Sequence, residues 1–143
     1  MNIQQISVFV ENRTGGLAEI TKLLADKGVD LRAMSIADTT DYGILRLIVD
    51  KPEAALSALQ ENGCLVSVTP VLAVRLPDVP GGLAKLLGLL SENGVDLEYL
   101  YAFVTRSVDH AYVVLRVKDN EGTEKILLEG GITVASAEDL FTA

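Results

Sequence analysis

The sequence predicts an α+β fold built from two copies of one βαββαβ unit. Three observations carry the prediction: an internal repeat, an apolar period that switches between two residues and about 3.6, and a composition able to bury a core. RTGGLAEITKLLADKGVDL (13 to 31) returns as VPGGLAKLLGLLSENGVDL (79 to 97) at an offset of 66, with 10 of 19 positions identical. Downstream, YGILRLIV (42 to 49) returns as AYVVLRV (111 to 117), and ENGCLVSV (61 to 68) is echoed loosely by EGGITVAS (129 to 136). These later echoes sit at slightly different offsets, which predicts a lengthened turn around Thr105 to Asp109. With 143 residues, 49% of them hydrophobic, the chain has enough apolar surface for one ordinary domain or two small ones.

The elements follow in order. IQQISVFV (3 to 10) alternates around Ile6, Val8 and Val10 and predicts a half-buried strand, with VLAVRL (71 to 76) in the same place in the second repeat. The turn-forming runs NRTGG and PDVPGG then lead into helices. Their apolar stripes, Leu17, Ile20 and Leu24 in one repeat and Leu83, Leu86, Leu87 and Leu90 in the other, have the spacing of a single helix face. Gly28 and Gly94 end the helices in a left-handed conformation that glycine adopts at little cost, and second strands are expected from Val29 and Val95. A turn at Thr39 to Asp41 leads to a third strand, Tyr42 to Val49. Pro52 opens a second helix at a position where its missing N–H costs nothing, and that helix runs to Gly63. Leu65 to Val68 form a fourth strand. The second repeat closes likewise, with a helix from Thr123 to Leu128 and a strand from Ile132 to Ala135. This order is the split βαβ, or ferredoxin-like, arrangement: antiparallel sheets with the helices on one face. Only Thr69 and Pro70 separate the repeats, so residues 1 to 69 and 70 to 143 are expected to dock rather than hang on a linker.

Composition narrows the function. The net charge is −8 and the lysines and arginines are scattered, so no basic stripe exists to collect phosphates and nucleic acid is not an expected partner. Apolar runs break well before the ~20 residues of a membrane span, and the opening residues do not read as a charged-then-apolar leader. A cytoplasmic location without membrane contact is the expectation. One cysteine, Cys64, and one histidine, His110, form neither an internal disulfide nor a Cys/His metal set, so no metal or cofactor is expected. Cys64 reads as a small core hydrophobe, and His110 as part of the lengthened turn.

The first strand, the turn ending in Gly-Gly-Leu, the helix and the Gly-Val-Asp-Leu after it resemble the ACT domain, a small regulatory module that binds amino acids. The motif typical of that family is an acidic or amide residue, then Arg-Pro-Gly, one further residue and Leu. Asn12, Arg13, Gly15 and Leu17 keep most of it but place Thr14 where proline is usual. Asp78, Pro80, Gly81 and Leu83 keep the rest but place Val79 where arginine is usual. The resemblance spans the whole chain, twice. It implies a non-catalytic sensor that binds a free amino acid at the loop between the first strand and first helix, near the meeting of the repeats, and acts on a partner such as an amino-acid metabolic enzyme.

The loops have suitable chemistry. Glycines at a helix mouth let a ligand carboxylate approach backbone N–H groups that lack an intrahelical partner, at the positive end of the helix dipole. An Asn or Asp beside them holds an ammonium group. The candidate residues are Asn12, Arg13, Thr14, Gly15, Gly16 and Leu17, then Asp78, Val79, Pro80, Gly81, Gly82 and Leu83, with Ser35, Ile36 and Tyr101 from the second strands. The plainer alternatives are that the glycines serve tight turns, that Arg13 is a solvated surface residue and that Asp78 caps a helix. In the second strand of repeat two, Tyr99, Tyr101 and Phe103 share one parity and Leu100, Ala102 and Val104 the other. Helices cover one face only, so the aromatics are expected to form an exposed contact patch, which points to a homodimer and to a hydrophobic or aromatic ligand; the plainer alternative is a bulged strand that turns some of them into the core. Two other functions stay open: an assembly module without ligand, and a small ferredoxin-like enzyme of the acylphosphatase type using Arg13 and Asn12. No Ser/His/Asp, Cys/His or close carboxylate set supports catalysis.

Overall fold

The computed structural model of the chain describes residues 1–38, 41–106 and 108–142. Thr39 and Thr40 of the expected turn, and Ser107 of the expected lengthened one, lie outside them. By its contacts the chain divides into two compact units, Gln4–Thr69 and a second made of Met1–Ile3 with Pro70–Ala143.

In the first unit, β1 (Ile3–Glu11), α1 (Gly16–Asp26), β2 (Leu31–Asp38), β3 (Tyr42–Val49) and α2 (Pro52–Glu61) follow one another. Both pairings, β1 with β3 and β2 with β3, are antiparallel. Alternation sends Ile6, Val8, Leu45, Leu47 and Val49 to one face, where they meet Ile20 and Leu24 of α1 and Ala55 and Leu59 of α2. Each such leucine or isoleucine, fully buried, contributes about 1.5 to 3 kcal/mol. Both helices therefore lie on a single face.

The second unit repeats the plan. β4 (Val66–Pro77) leads to α3 (Gly82–Glu92), β5 (Leu97–Ala102), β6 (His110–Val117), α4 (Asn120–Glu129) and β7 (Thr133–Ala135). β4 lies between β7 and β6, and β5 pairs with the far side of β6, all antiparallel. Leu72, Val74, Leu76, Val113, Leu115 and Val117 face Leu86 and Leu90 of α3 and Leu127 of α4. The chain is an α+β pair of ferredoxin-like repeats.

Several boundaries differ from expectation for local reasons. Gly28 (φ 70°) and Gly94 (φ 67°) do end their helices. The N–H groups of Val29 and Val95, however, turn back to Leu24 and Leu90 carbonyls at 3.0 and 2.9 Å, so β2 and β5 begin two residues later than Val29 and Val95. Leu17 (39% exposed) and Leu83 (42%) lie outside the cores. Thr69 and Pro70 are not a break but the middle of the continuous strand β4. α4 begins at Asn120, three residues early, since the Asp119 side chain accepts the Gly122 N–H at 3.0 Å. His110 is the first residue of β6 rather than part of a turn.

One short helix, α5 (Ala137–Thr142), was not expected. Ser136 and Asp139 build its start reciprocally: the Ser136 N–H donates to Asp139 Oδ2 at 2.9 Å, and the Asp139 N–H to Ser136 Oγ at 3.1 Å. The aromatic expectation for β5 needs correction too. Leu100 packs against the helix-side core, so Tyr99, Tyr101 and Phe103 do have the opposite parity. Yet Tyr101 is 7% and Phe103 5% exposed, and Tyr112 beside them 8%. The rings shelter one another, Tyr99 on Tyr101 with centroids 6.4 Å apart and Phe103 on Tyr112 at 6.3 Å. No exposed aromatic patch results.

Candidate functional site

Each repeat carries a cavity where its first strand turns into its first helix. In the second repeat the turn is built from Asp78 to Gly81. The Asp78 N–H donates to the Asp109 carbonyl at 3.0 Å, Val79 N–H to Pro77 at 2.9 Å and Gly82 N–H to Val79 at 3.1 Å. Gly81 then takes φ 91°, a left-handed conformation that favours glycine, and α3 starts with no side chain capping it. Backbone N–H groups of its first turn thus lack an intrahelical acceptor. Gly82 is buried, and a Cβ there would stand 2.6 Å from the Pro77 carbonyl oxygen, so the strand and helix approach more closely than any other residue permits.

This turn borders a cavity of about 410 Å³ lined by residues 75–77, 79–82 and 85, by His110, and by 131–133 from the turn between α4 and β7. Such a volume suits a small molecule. Among the expected residues, Val79, Pro80, Gly81 and Gly82 are brought together here. Arg75, Lys85 and His110, which sequence reasoning did not select, join them, and among the described residues no Asp or Glu lines the cavity. Arg75 and Lys85 take part in no ion pair among the described residues.

The first repeat has the same turn with other chemistry. Gly15 (φ 84°) precedes α1, Gly16 N–H donates to Arg13 at 3.2 Å, Arg13 N–H to Glu11 at 2.8 Å and Asn12 N–H to Asp41 at 3.2 Å. A cavity of about 340 Å³ lies against Arg13, Gly16, Glu11, Glu19, Tyr42 and the turn at 62–65 that includes Cys64. Here the cation is committed. Arg13 Nη1 and Nη2 fork onto Glu19 at 3.2 and 2.6 Å, and its Nε lies 3.4 Å from Glu11. The hydrogen bonds and charge of Glu19 push the Arg13 guanidinium up from its ordinary value, and those of Arg13 pull the Glu19 carboxyl down. Phe9 and Tyr42 pack as rings 5.6 Å apart beside this pair.

Other expected residues fall elsewhere. Thr14, Gly15, Leu17, Asn12, Asp78 and Leu83 belong to the turns or first helical residues but line neither cavity. Ser35 is half-buried opposite Arg46 and Ile36 is 49% exposed opposite Leu45, both on β2. Tyr101 is buried on β5 opposite Val114. None of these three lines either of the two cavities, so among the described residues the second strands, from which a hydrophobic or aromatic ligand was expected, add no lining residue to them. Cys64 is half-buried against the first core, as a small hydrophobe, and also lines the cavity. Among the described residues, no group of three or more His, Cys, Asp and Glu side chains is placed to hold a metal ion. No helix of the described chain is long and apolar enough to cross a membrane.

Comparison with known proteins agrees with the tandem plan. The family model described as an ACT domain pair matches residues 1–143. A protein of solved structure from Bacteroides thetaiotaomicron is 40% identical and superposes with a TM-score of 0.92, covering 100% of this chain and 98% of its own. The regulatory subunit of aspartate kinase from Thermus thermophilus, in a ligand-free form, shares the fold at 18% identity and TM-score 0.66, over 89% of this chain and 91% of that one. The corresponding subunit from Thermus flavus does so at 16% and 0.63, over 92% and 94%. No curated protein matches the chain. The two repeats, their glycine turns and the family match over the full length together place this chain in the ACT domain pair family, whose members are regulatory, amino-acid-binding modules.

Proposed function

We propose that the protein is a non-catalytic sensor that binds a free amino acid at the β4–α3 loop and passes its occupancy to an amino-acid metabolic enzyme. One observation carries the reading: the cavity of about 410 Å³ sets an uncapped helix start beside cationic residues and a turn that only glycine closes. A carboxylate is met there by backbone N–H groups and the helix dipole. Asp78, adjoining the cavity in sequence, supplies the counterpart for the ammonium group. The equivalent loop of the first repeat has its arginine already paired, which also speaks against an acyl-phosphate enzyme built on Arg13 and Asn12.

A screen of the standard amino acids by thermal shift should find one or a few stabilisers, because a ligand at about 100 times its dissociation constant adds about 2.7 kcal/mol to folding. Gly81→Val should remove that shift and Gly15→Val should keep it, although both force a side chain into a left-handed conformation. If no amino acid moves the melting curve and calorimetry is silent, an assembly module is the better account.

The proposal includes a cytoplasmic homodimer. Since the β5 aromatics are buried, the support for self-association comes from β2, an edge strand of its unit with Met34 (47%) and Ile36 (49%) exposed. Light scattering at micromolar concentration should show a mass above 15.3 kDa, reduced towards it by Ile36→Lys; a monomer in the unaltered protein removes the dimer.

A further inference from the structure

Resting on the reading of the β4–α3 loop as an amino-acid site, we propose that its ligand carries a second acidic group on the side chain, as aspartate and glutamate do. The argument begins with charge. The chain has 20 acidic and 12 basic residues, so a cavity lined by Arg75, Lys85 and His110 with no Asp or Glu among the described residues runs against the composition of the whole. Lysine and arginine are cationic at neutral pH, and neither Arg75 nor Lys85 spends that charge in an ion pair among the described residues. The Asp139 carboxyl is lowered chiefly by its hydrogen bonds with Ser136 and also by the charge of Arg75.

Placement strengthens the case. Arg75 and His110 occupy the strand positions that Phe9 and Tyr42 hold in the first repeat, as the registers of β4 with β6 and of β1 with β3 show. The rings of Phe9 and Tyr42 reach each other at 5.6 Å, so side chains from these two positions meet across neighbouring strands. Lys85 holds the helix position of Glu19. A single α-carboxylate at the helix start uses the backbone N–H groups and Lys85, and leaves the charge of Arg75 for the ligand's side chain. Arg75 and Lys85 are exposed at the cavity; an apolar side chain would make no use of their charge, and a basic one would be repelled. A second carboxylate completes the set with charge-assisted hydrogen bonds.

Calorimetry on the full chain, at one pH and salt concentration, tests this with aspartate, glutamate, asparagine, glutamine, leucine, lysine, succinate and inorganic phosphate. Either aspartate or glutamate should bind about 10 to 100 times more tightly than its own amide. Arg75→Gln and Lys85→Gln should each remove most of that margin in a protein with an unchanged circular dichroism spectrum, and added salt should narrow it. Equal binding of acid and amide, or tighter binding of leucine or lysine, overturns the inference while leaving an amino-acid sensor in place. Succinate or phosphate binding as tightly as the amino acids, or silence from every compound, overturns both.

Discussion

The β1–α1 loop and the β4–α3 loop turn on the same backbone hydrogen bonds, yet one is closed upon itself and the other is not. Gly15 and Gly81 take φ 84° and 91°, and Gly16 and Gly82 donate to Arg13 and Val79 at 3.2 and 3.1 Å. On that common frame, Arg13 and Glu19 form a forked ion pair where Val79 and Lys85 stand in the second repeat. Phe9 and Tyr42 meet as tilted rings where Arg75 and His110 stand. The glycine spacing dictates the turn, while four side-chain positions decide whether the site has charge to offer. Duplicated sites can thus diverge in chemistry without any change of backbone.

The comparison first requires equivalent cores. Leu24 and Leu90 stand at matching positions, 0% and 2% exposed, so Leu24→Ala and Leu90→Ala should each cost about 2 to 5 kcal/mol in urea denaturation. A small cost in one repeat only would mean that the two cores are not alike. The closeness of strand and helix differs more. A Cβ on Gly82 would lie 2.6 Å from the Pro77 oxygen, against 3.1 Å between one on Gly16 and the Glu11 oxygen. Gly82→Ala should therefore destabilise by about 1 to 3 kcal/mol and Gly16→Ala by clearly less; the reverse order would show that the first loop is the tighter. The second helices also differ, because α4 has an Asp119 side-chain cap and α2 has none. Asp119→Ala should cost about 1 kcal/mol, read as a lower melting temperature.

The smallest expected effect concerns the closed loop. Glu19 has its folded pKa lowered by Arg13, so its contribution to stability is present above the unfolded value and is lost as pH falls through the folded one. Glu19→Gln should flatten the acid side of the stability profile slightly, since this pair is exposed and screened. The second repeat, with Lys85 there instead, has no such term: Lys85→Gln should leave the acid limb as it is. Equal flattening by both variants would remove the distinction between the loops.

Much of the fold was legible because period and punctuation agree. β3 runs over the expected Tyr42–Val49, and Pro52 opens α2 where expected. The helix-ending glycines were legible from composition alone, since Gly28 and Gly94 follow apolar stripes. Strand continuity was not: Thr69 and Pro70 read as punctuation, but pairing partners along β4 outweigh a local preference. α5 had a visible signal in Ser136 and Asp139, overlooked because six residues offer no apolar period. For the candidate site, the motif led to the turn, at Val79 to Gly82, and stopped there. Arg75, His110 and Thr133 reach the cavity only through the β4 registers with β6 and β7, a property of pairing that no short window contains. Aligning the repeats at charged positions, Glu19 with Lys85, would have exposed the difference between the loops.

The first three residues belong with the second unit, and this has a consequence for the order of assembly. Asn120 Nδ2 donates to Asn2 Oδ1 at 3.0 Å and to the Pro70 carbonyl at 3.2 Å, while Ile3 is 3% exposed. Asn2 and Asn120 are 118 positions apart. Closing so long a loop is not thermodynamically heavy, since each doubling of length adds only about 0.6 kcal/mol, but it is late. As the chain folds, Asn2 lacks this partner until α4 has formed, so the segment is secured after the contacts within residues 4–69. Residues 4–69 meanwhile have all their own core within reach. A disturbance at Asn2 would accordingly be felt in the second repeat rather than in the repeat it adjoins in sequence.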